Sequence, residues 1–284
     1  MVSLECNNIT FSYENGTKSA AITDFNLSID AGEWVAVIGP SGAGKTTILK
    51  LMKGLLQPQN GEIRVNTRIL PPGEINQLTA AVFTNPENQI VSPVVAEDVA
   101  FGLENMGLAP ETIRMRVEEA LSWVGLSERA RDFSHHLSGG EQQRLILAGA
   151  LAQKKGCLLL DDPLSMVGSR NRLAMLRLLK SIHQRESCTM VHTTHSLEEA
   201  LVTQRLVAIE GGRLLFDGCP NHFLLEKGLI EQLGLEVPAV VQLGETLAKR
   251  GLTEPDEITT LEQLLQLLTL AKHRKDNKTE RLKE

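Results

Sequence analysis

Short apolar runs alternate with helical patterns along most of the chain. Four runs have the length and apolar content of buried β-strands: EWVAVIG (33–39), CLLLD (157–161), TMVHTT (189–194) and LVAIE (206–210). Segments between them, such as ILKLMKGLL (48–56), repeat apolar residues at spacings of three and four, which is typical of amphipathic helices. This alternation predicts an α/β fold with a mostly parallel sheet covered by helices on both faces.

Three regions depart from this rhythm. The first thirty residues read as short strands joined through the turn signal Asn15-Gly16, and they predict an N-terminal antiparallel β part. Residues from about 87 to 136 are helical in period and predict an inserted helical subdomain. We expect a main domain over residues 1–230 and a C-terminal helical extension over residues 231–284.

The extension combines a leucine-rich helix with a charged tail. Thr260 and Gln263 have the spacing of a capping box. Four leucines after it share one helical face: Leu261, Leu264, Leu265 and Leu268. The tail at 272–284 mixes both charge signs and predicts a solvated chain end.

Composition narrows the function classes. The 284 residues are 42% hydrophobic and 23% charged, as in ordinary soluble globular proteins. A net charge of −6 argues against a nucleic-acid partner, because such partners need a basic surface. The four cysteines are scattered, which predicts reduced thiols. No signal peptide and no run of about 18 apolar residues is visible, so a transport role would need other subunits to supply the pore.

A phosphate-binding loop stands out at GPSGAGKT (39–46). It fits the pattern G-x-x-x-x-G-K-[ST], follows a predicted strand and opens a predicted helix. The glycines let backbone N–H groups converge on phosphates at a helix N-terminus. Lys45 can reach the β- and γ-phosphates, and the Thr46 hydroxyl can bind Mg²⁺. We therefore expect ATP and Mg²⁺ as cofactors.

An acidic strand end completes a nucleotide site. Asp161 ends the run CLLLD, where a carboxylate can hold the Mg²⁺ shell opposite Thr46. Asp162 follows at the position of a general base for the attacking water. The alternative is that both aspartates merely cap the turn that follows the strand.

The stretch LSGGEQQR (137–144) resembles the signature motif of ABC ATPases. Ser138 can cap a helix, and Gly139 and Gly140 expose backbone N–H groups at its start. The order of motifs, ending in TTHSLEEA (193–200), is also similar to this family. The resemblance covers about residues 3–230 and implies an ABC-type P-loop ATPase, in which two chains sandwich two ATP molecules and the signature of one chain meets the γ-phosphate bound by the other.

The resemblance also implies roles for three side chains. His195 lies at the position of the family's switch histidine, which senses the γ-phosphate. Tyr13 resembles the aromatic residue that stacks on adenine, with a core tyrosine as the alternative. His192 and His195 form an H-x-x-H pair, but such side chains point to opposite faces of a strand, so no metal pair is expected.

Within the family, two stretches look most similar to the A components of energy-coupling factor transporters. They are the segment 82–105 and the C-terminal extension, which in that group adds to the contact between two ATPases. The resemblance implies four subunits: two ATPases, a transmembrane T subunit and a substrate-binding membrane S subunit. It further implies a peripheral location on the cytoplasmic face of the membrane and uptake of a vitamin or a transition-metal ion.

The alternatives are another ABC importer and a soluble ABC ATPase that acts on DNA or ribosomes. Chromosome-type members insert a long coiled coil before the signature, whereas only a short stretch separates Thr84 from Leu137 here. Ribosome-type members carry two ATPase units, and this chain has one phosphate loop.

Three positions depart from the family pattern, and all three bear on hydrolysis. Thr84 replaces the glutamine that contacts Mg²⁺ and water, although Gln89 follows five residues later. Asp162 replaces a longer glutamate, and Gly168 replaces the aspartate of the D-loop. This pattern predicts an asymmetric pair in which this chain's own site is slow while its signature serves a different partner ATPase. A slow, symmetric homodimer is the alternative.

The full set of site predictions follows from these motifs. We expect Asp162 and His195 to act in catalysis, and Thr46 and Asp161 to hold the metal. We expect nucleotide contacts from these residues: Tyr13, Gly39, Ser41, Gly42, Gly44, Lys45, Thr46, Thr47, Gln89, Ser138, Gly139 and Gly140.

Overall fold

The computed structural model describes residues 1–13, 21–253 and 258–269. Its strands are β1 Leu4–Phe11, β2 Ile22–Ile29, β3 Trp34–Ile38, β4 Asn60–Val65, β5 Arg68–Ile69, β6 Thr79–Val82, β7 Cys157–Asp161, β8 Thr189–Thr194, β9 Arg205–Glu210 and β10 Arg213–Gly218. Its helices are α1 Lys45–Lys53, α2 Val95–Glu104, α3 Pro110–Trp123, α4 Gly139–Ala152, α5 Ser169–Glu186, α6 Leu197–Ala200, α7 Pro220–Phe223, α8 Lys227–Gln232 and α9 Ala239–Lys249. A further helix covers residues 261–269. The predicted turn at Asn15 and Gly16 and the tail at 272–284 lie outside the described residues.

A six-stranded sheet in the order β10-β9-β3-β8-β7-β6 forms the centre. The five strands from β9 to β6 are parallel, and β10 pairs with β9 as a hairpin. Strands β3, β7 and β8 are buried along their whole length, which explains their continuous apolar runs. The prediction of a mostly parallel sheet is confirmed. Parallel strands end at one edge, so the residues after β3, β6, β7 and β8 meet there.

A second, antiparallel sheet has the order β2-β1-β4-β5. The predicted antiparallel N-terminal part is confirmed. Strand β4 was not predicted, because QPQNG (57–61) was interpreted only as the end of a helix. Gly61 enters β4 with φ +85°, and a Cβ there would lie 2.3 Å from the carbonyl oxygen of Asn7. Close approach of two backbones therefore requires this glycine.

Two apolar layers cover the parallel sheet. On one face, α1 lies between the two sheets and packs Ile48, Leu49 and Met52 against residues of β1, β2 and β3. On the other face, α2, α3, α4 and α5 share one cluster that includes Leu103, Leu121 and Leu145. The helical segment predicted over about 87–136 contributes α2 and α3 to this cluster.

The C-terminal extension continues the main core. Residue 230, where the sequence places a boundary, lies inside α8. Ile230, Leu233 and Val241 pack with Ile38 and Phe223 in a third buried cluster. Further on, Gln263 accepts hydrogen bonds from the backbone N–H groups of residues 259 and 260 at 2.8 and 2.9 Å, as a capping arrangement requires. Among the described residues, no helix combines the length and apolar content that a membrane span needs.

Candidate functional site

The phosphate loop joins β3 to α1, and its glycines are required by packing. Gly44 precedes α1 with φ +105°, and a Cβ there would lie 2.7 Å from Cδ1 of Ile22. A Cβ on Gly39 would lie 2.2 Å from the carbonyl oxygen of Ile209. Any side chain at either position would displace backbone or core atoms. The loop can therefore follow its tight path only with glycine at these positions, and the N-terminus of α1 faces the interior of the loop.

The Lys45 ammonium lies across this loop. It donates hydrogen bonds to the carbonyl oxygens of Gly39 at 2.6 Å and Pro40 at 2.9 Å. Burial lowers the pKa of Lys45, and the nearby carboxylates of Asp162 and Asp161 counter that effect. The loop therefore holds a partly desolvated cation, which strengthens its attraction for phosphate oxygens.

Asp161 ends β7 with its side chain surrounded by threonine hydroxyls. Thr46 donates to its two oxygens at 2.8 and 3.0 Å, Thr84 donates to Oδ2 at 2.6 Å, and Thr193 donates to Oδ1 at 2.7 Å. The residue is only 2% exposed. A hydroxyl beside a carboxylate is an all-oxygen set, which is the kind that Mg²⁺ prefers. Thr46 and Asp161 are therefore brought together as the predicted metal residues, and they fit the ion.

Thr193 was not among the site residues predicted from the sequence. Thr193 is the register partner of Asp161 on the neighbouring strand β8. Its hydroxyl accepts a hydrogen bond from the backbone N–H of Asp162 at 3.0 Å and donates to Asp161, so it fixes the strand end that carries both acids. The signal was present in TMVHTT, because a polar residue at the carboxyl end of a buried parallel strand faces the same edge as its neighbours.

Asp162 and His195, the two residues expected to act in catalysis, lie in contact. The Nδ1 atom of His195 lies 3.3 Å from Oδ2 of Asp162. Asp162 has a left-handed φ of 48°, and its Oδ1 is buried with no hydrogen-bond partner among the described residues. Burial raises the pKa of Asp162; His195 and Lys45 oppose this shift, and Asp161 adds to it. The arrangement is that of a desolvated carboxylate available to bind a proton or orient water.

His192 lies elsewhere and has a structural role. Its Nδ1 accepts a hydrogen bond from the indole N–H of Trp34 at 3.0 Å inside the core, and burial lowers its pKa to about 4. His195 follows the end of β8 and is exposed, so the two histidines do not form a metal pair.

The side chain of Gln89 is bound within its own loop. Its amide contacts the backbone of its own loop: Oε1 accepts from the N–H of Phe83 at 2.9 Å, and Nε2 donates to the carbonyls of Phe83 at 2.6 Å and Asn85 at 3.1 Å. Both ends of the amide are thus bound within the loop, and the nucleotide contact of Gln89 stays a prediction. The residue holds a loop instead.

Tyr13 lies beside the start of α1. Its hydroxyl is 3.2 Å from the Thr47 hydroxyl, its ring packs edge-on against Phe11, and 44% of the residue is exposed. A core tyrosine would be covered, so the exposed ring next to the phosphate loop keeps the adenine-stacking prediction open to test.

The signature forms the N-terminus of α4. Ser138 is the N-cap, and the carboxylate of Glu141 accepts hydrogen bonds from its N–H at 2.9 Å and its hydroxyl at 2.7 Å. These hydrogen bonds lower the pKa of Glu141. A Cβ on Gly139 or on Gly140 would meet no atom within 4 Å. The helix end is therefore presented on the surface with bare backbone N–H groups.

The altered D-loop leads from Asp162 into α5. The Ser165 hydroxyl donates to the backbone carbonyl of Asp162 at 2.9 Å, and Leu164 and Val167 are buried. Met166 is exposed, and Gly168 is the N-cap of α5 with no capping side chain. The turn is well packed, but it carries no carboxylate at the position of the family's aspartate.

Comparison with known proteins places these features in a family. Residues 22–165 match the ABC transporter family. The energy-coupling factor transporter ATP-binding protein EcfA1 of Caldanaerobacter subterraneus is 36% identical over 93% of this chain and 98% of that protein. The EcfA1 protein of Listeria monocytogenes is also 36% identical, over 91% of this chain and 95% of its own length.

Solved structures agree. The cbiO1 protein of Clostridium perfringens, part of the ABC transporter complex cbiONQ, superposes with a TM-score of 0.71 at 27% identity, covering 85% of this chain and 98% of that one. The ATP-binding cassette MJ0796, a dimer in a post-hydrolysis state bound to ADP and Pi, gives a TM-score of 0.69 at 27% identity over 76% and 98%. The fold class and the family predicted from the sequence are confirmed. The chain belongs to the ABC transporter family, among the ATP-binding proteins of energy-coupling factor transporters.

Proposed function

We propose that this chain is one of two different ATPases in an energy-coupling factor transporter. It binds Mg²⁺-ATP at its phosphate loop, hydrolyses it slowly there, and completes the faster site of its partner with Ser138 and Gly140. The complex contains a transmembrane T subunit and a substrate-binding S subunit, and the chain lies on the cytoplasmic face of the membrane. ATP turnover drives uptake of a vitamin or a transition-metal ion.

The observation that carries this proposal is the contrast between the two half-sites. The signature helix end keeps its serine and glycines and has an open surface before it. The half-site around Asp161 keeps binding residues but carries Thr84, Asp162 and Gly168 at positions tied to hydrolysis. The residue types expected for binding and for the signature are thus present, while the residues at the hydrolytic positions differ from the family pattern.

The chemistry at this chain's own site follows from the groups present. Thr46 and Asp161 would hold Mg²⁺, and the bound ion would neutralise charge on the β- and γ-phosphates. Lys45 adds a second positive charge, and backbone N–H groups of the loop bind the phosphate oxygens. Asp162 orients water, with His195 beside it, but a carboxylate one carbon shorter than glutamate sits farther from that water. A misplacement near 1 Å lowers the rate about 100-fold.

Exposed apolar side chains support a membrane-subunit contact. Val91 and Phe101 lie in the loop and helix that follow Thr84, and they are 57% and 47% exposed. Isolated apolar residues on a surface are ordinary, but Val91 lies in the loop that reaches the metal site, and Phe101 lies on the helix that follows this loop. We assign this surface to the T subunit.

Co-expression with neighbouring transporter subunits tests the proposal. We expect native mass spectrometry of the detergent-purified complex to give one copy of this chain with one copy of a second ATPase. Replacing Phe101 by Asp should release the ATPases from the membrane fraction, whereas replacing the exposed Leu215 of β10 by Asp should not. Two copies of this chain without a second ATPase would contradict the asymmetric pair.

A further inference from the structure

The loop from Phe83 to Gln89 is closed by one side chain. The Gln89 amide binds the backbone N–H and carbonyl of Phe83 and the carbonyl of Asn85. Thr84 lies between these two anchored residues. The backbone of Thr84 is therefore fixed on both sides, and this fixes the position of its hydroxyl.

That place is the buried oxygen of the metal carboxylate. The Thr84 hydroxyl donates to Oδ2 of Asp161 at 2.6 Å, beside the bond from Thr46 to the same oxygen. Thr46 is the hydroxyl expected to bind the metal, so Thr84 and Thr193 are the two neighbours that orient the carboxylate independently of the ion. Hydrogen bonds of this kind around a metal site fix ligand orientation and tune affinity.

The far end of the loop leads directly into α2. Asp98, in the first turn of that helix, accepts hydrogen bonds from the N–H groups of Val91 at 2.7 Å and Ser92 at 3.0 Å. The segment 83–92 is therefore tied at one end to Asp161 and at the other to the helical subdomain.

We propose that Thr84 is a positioning residue for Asp161, and that Gln89 holds Thr84 in place. Thr84 acts on Asp161 and not on the phosphates. The inference rests on the proposed function, because it concerns Mg²⁺-ATP at this chain's own site.

The test is the gain in nucleotide affinity that Mg²⁺ provides. The purified full chain is titrated with a fluorescent ATP analogue, once in Mg²⁺ and once in EDTA. Thr84→Val keeps the side-chain shape and removes the hydroxyl, and we expect it to reduce the Mg²⁺-dependent gain about tenfold. The affinity in EDTA should stay unchanged. Thr84→Ser should retain the gain, and Gln89→Ala should lose part of it.

A matched control lies on β6, the strand that precedes the loop of Thr84. The hydroxyl of Thr79 is buried and donates to the carbonyl of Asn76 at 3.1 Å, far along β6 from Asp161. Thr79→Val removes a comparable hydrogen bond, and the Mg²⁺-dependent gain should be unaffected. The double variant Thr84→Val with Gln89→Ala should lose no more than Thr84→Val alone, because both changes act on one contact.

The outcomes separate the claims. An unchanged Mg²⁺-dependent gain in Thr84→Val, or an equal loss in Thr84→Ser, would overturn the positioning role. Full additivity in the double variant would overturn the part assigned to Gln89. If the unaltered chain fails to bind the nucleotide in Mg²⁺, the proposed function itself falls, and the inference falls with it.

Discussion

The two glycine-containing helix ends of this chain differ in what requires their glycines. At the phosphate loop, added Cβ atoms on Gly39 and Gly44 would collide with atoms of the same chain. At the signature, Cβ atoms on Gly139 and Gly140 would meet nothing within 4 Å. Packing within the chain thus explains the first pair and leaves the second pair without a cause. We attribute the second requirement to a ligand and partner that approach α4 from outside.

The two regions also differ in how closely their residues match the family pattern. The signature end keeps its full motif, while Thr84, Asp162 and Gly168 depart from the family pattern at positions tied to hydrolysis. A chain that served two equal sites would need both halves intact. The residues expected to bind the nucleotide are thus different from those expected to hydrolyse it, which is the basis of the proposed asymmetric pair.

Loss of the phosphate-loop cation should have the largest effect. We expect Lys45→Ala to weaken ATP binding to the isolated chain by at least about 100-fold. The variant loses the hydrogen bonds that the charged Lys45 ammonium would donate to two phosphates. Nucleotide titration measures this. Lys50→Ala on the same helix should bind ATP normally, and unchanged affinity in Lys45→Ala would remove the phosphate-loop assignment.

A pair of glycine variants sharpens the comparison through stability. Gly44→Ala combines a φ of +105° with a close contact to Ile22, so we expect it to lower the free energy of unfolding by about 3 kcal/mol. Gly140→Ala should change it by no more than about 0.5 kcal/mol, because its Cβ enters open space. Urea unfolding of both variants gives the values. Equal destabilisation would mean that packing inside the chain requires both glycines.

The smallest predicted effect concerns the ionised Asp162. The pKa of Asp162 is raised in the folded chain, so ionisation of this carboxyl destabilises the fold. This destabilisation is absent below the pKa of the unfolded chain, and it grows as pH rises towards the pKa of the folded chain. Asn also tolerates the left-handed φ. We therefore expect Asp162→Asn to raise the free energy of unfolding by about 1 kcal/mol at pH 7 and by less at pH 4.

An aspartate with a good partner provides the control. Asp217 is paired with Arg205, at distances of 2.5 and 2.6 Å between guanidinium nitrogens and carboxylate oxygens. Asp217→Asn breaks this pair and should lower the free energy of unfolding at pH 7. A decrease in Asp162→Asn of similar size would show that Asp162 is also stabilised by its neighbours.

Much of the site was predictable because its residues are consecutive. The phosphate loop, the strand end at Asp161 and the helix cap at Ser138 are local patterns, and the structure places each on the expected element. Thr193 and Thr84 were harder, since their importance arises from three strands that meet at one sheet edge. Strand register, which the sequence does not display, brings their hydroxyls to Asp161.

Gln89 illustrates how little a local pattern says about the partners of a loop side chain. Residue type and spacing made it a candidate for the missing glutamine, but its amide closes a loop of its own. A side chain's partners depend on a few ångströms of loop path, which local pattern does not fix. The strand β4 was missed for a similar reason, because Asn-Gly marks a turn whether a helix or a strand follows.

The most direct test of the asymmetric pair is ATP turnover of the assembled complex carrying one change at a time. If Asp162 withdraws the base by about 1 Å, this chain's own site runs about 100-fold slower than its partner's, a barrier difference of about 2.7 kcal/mol. Asp162→Ala should then change total turnover little, whereas Ser138→Arg, which blocks the partner's site, should nearly abolish it. The reverse ranking, with Asp162→Ala the more damaging, would show that this chain's own site carries the hydrolysis.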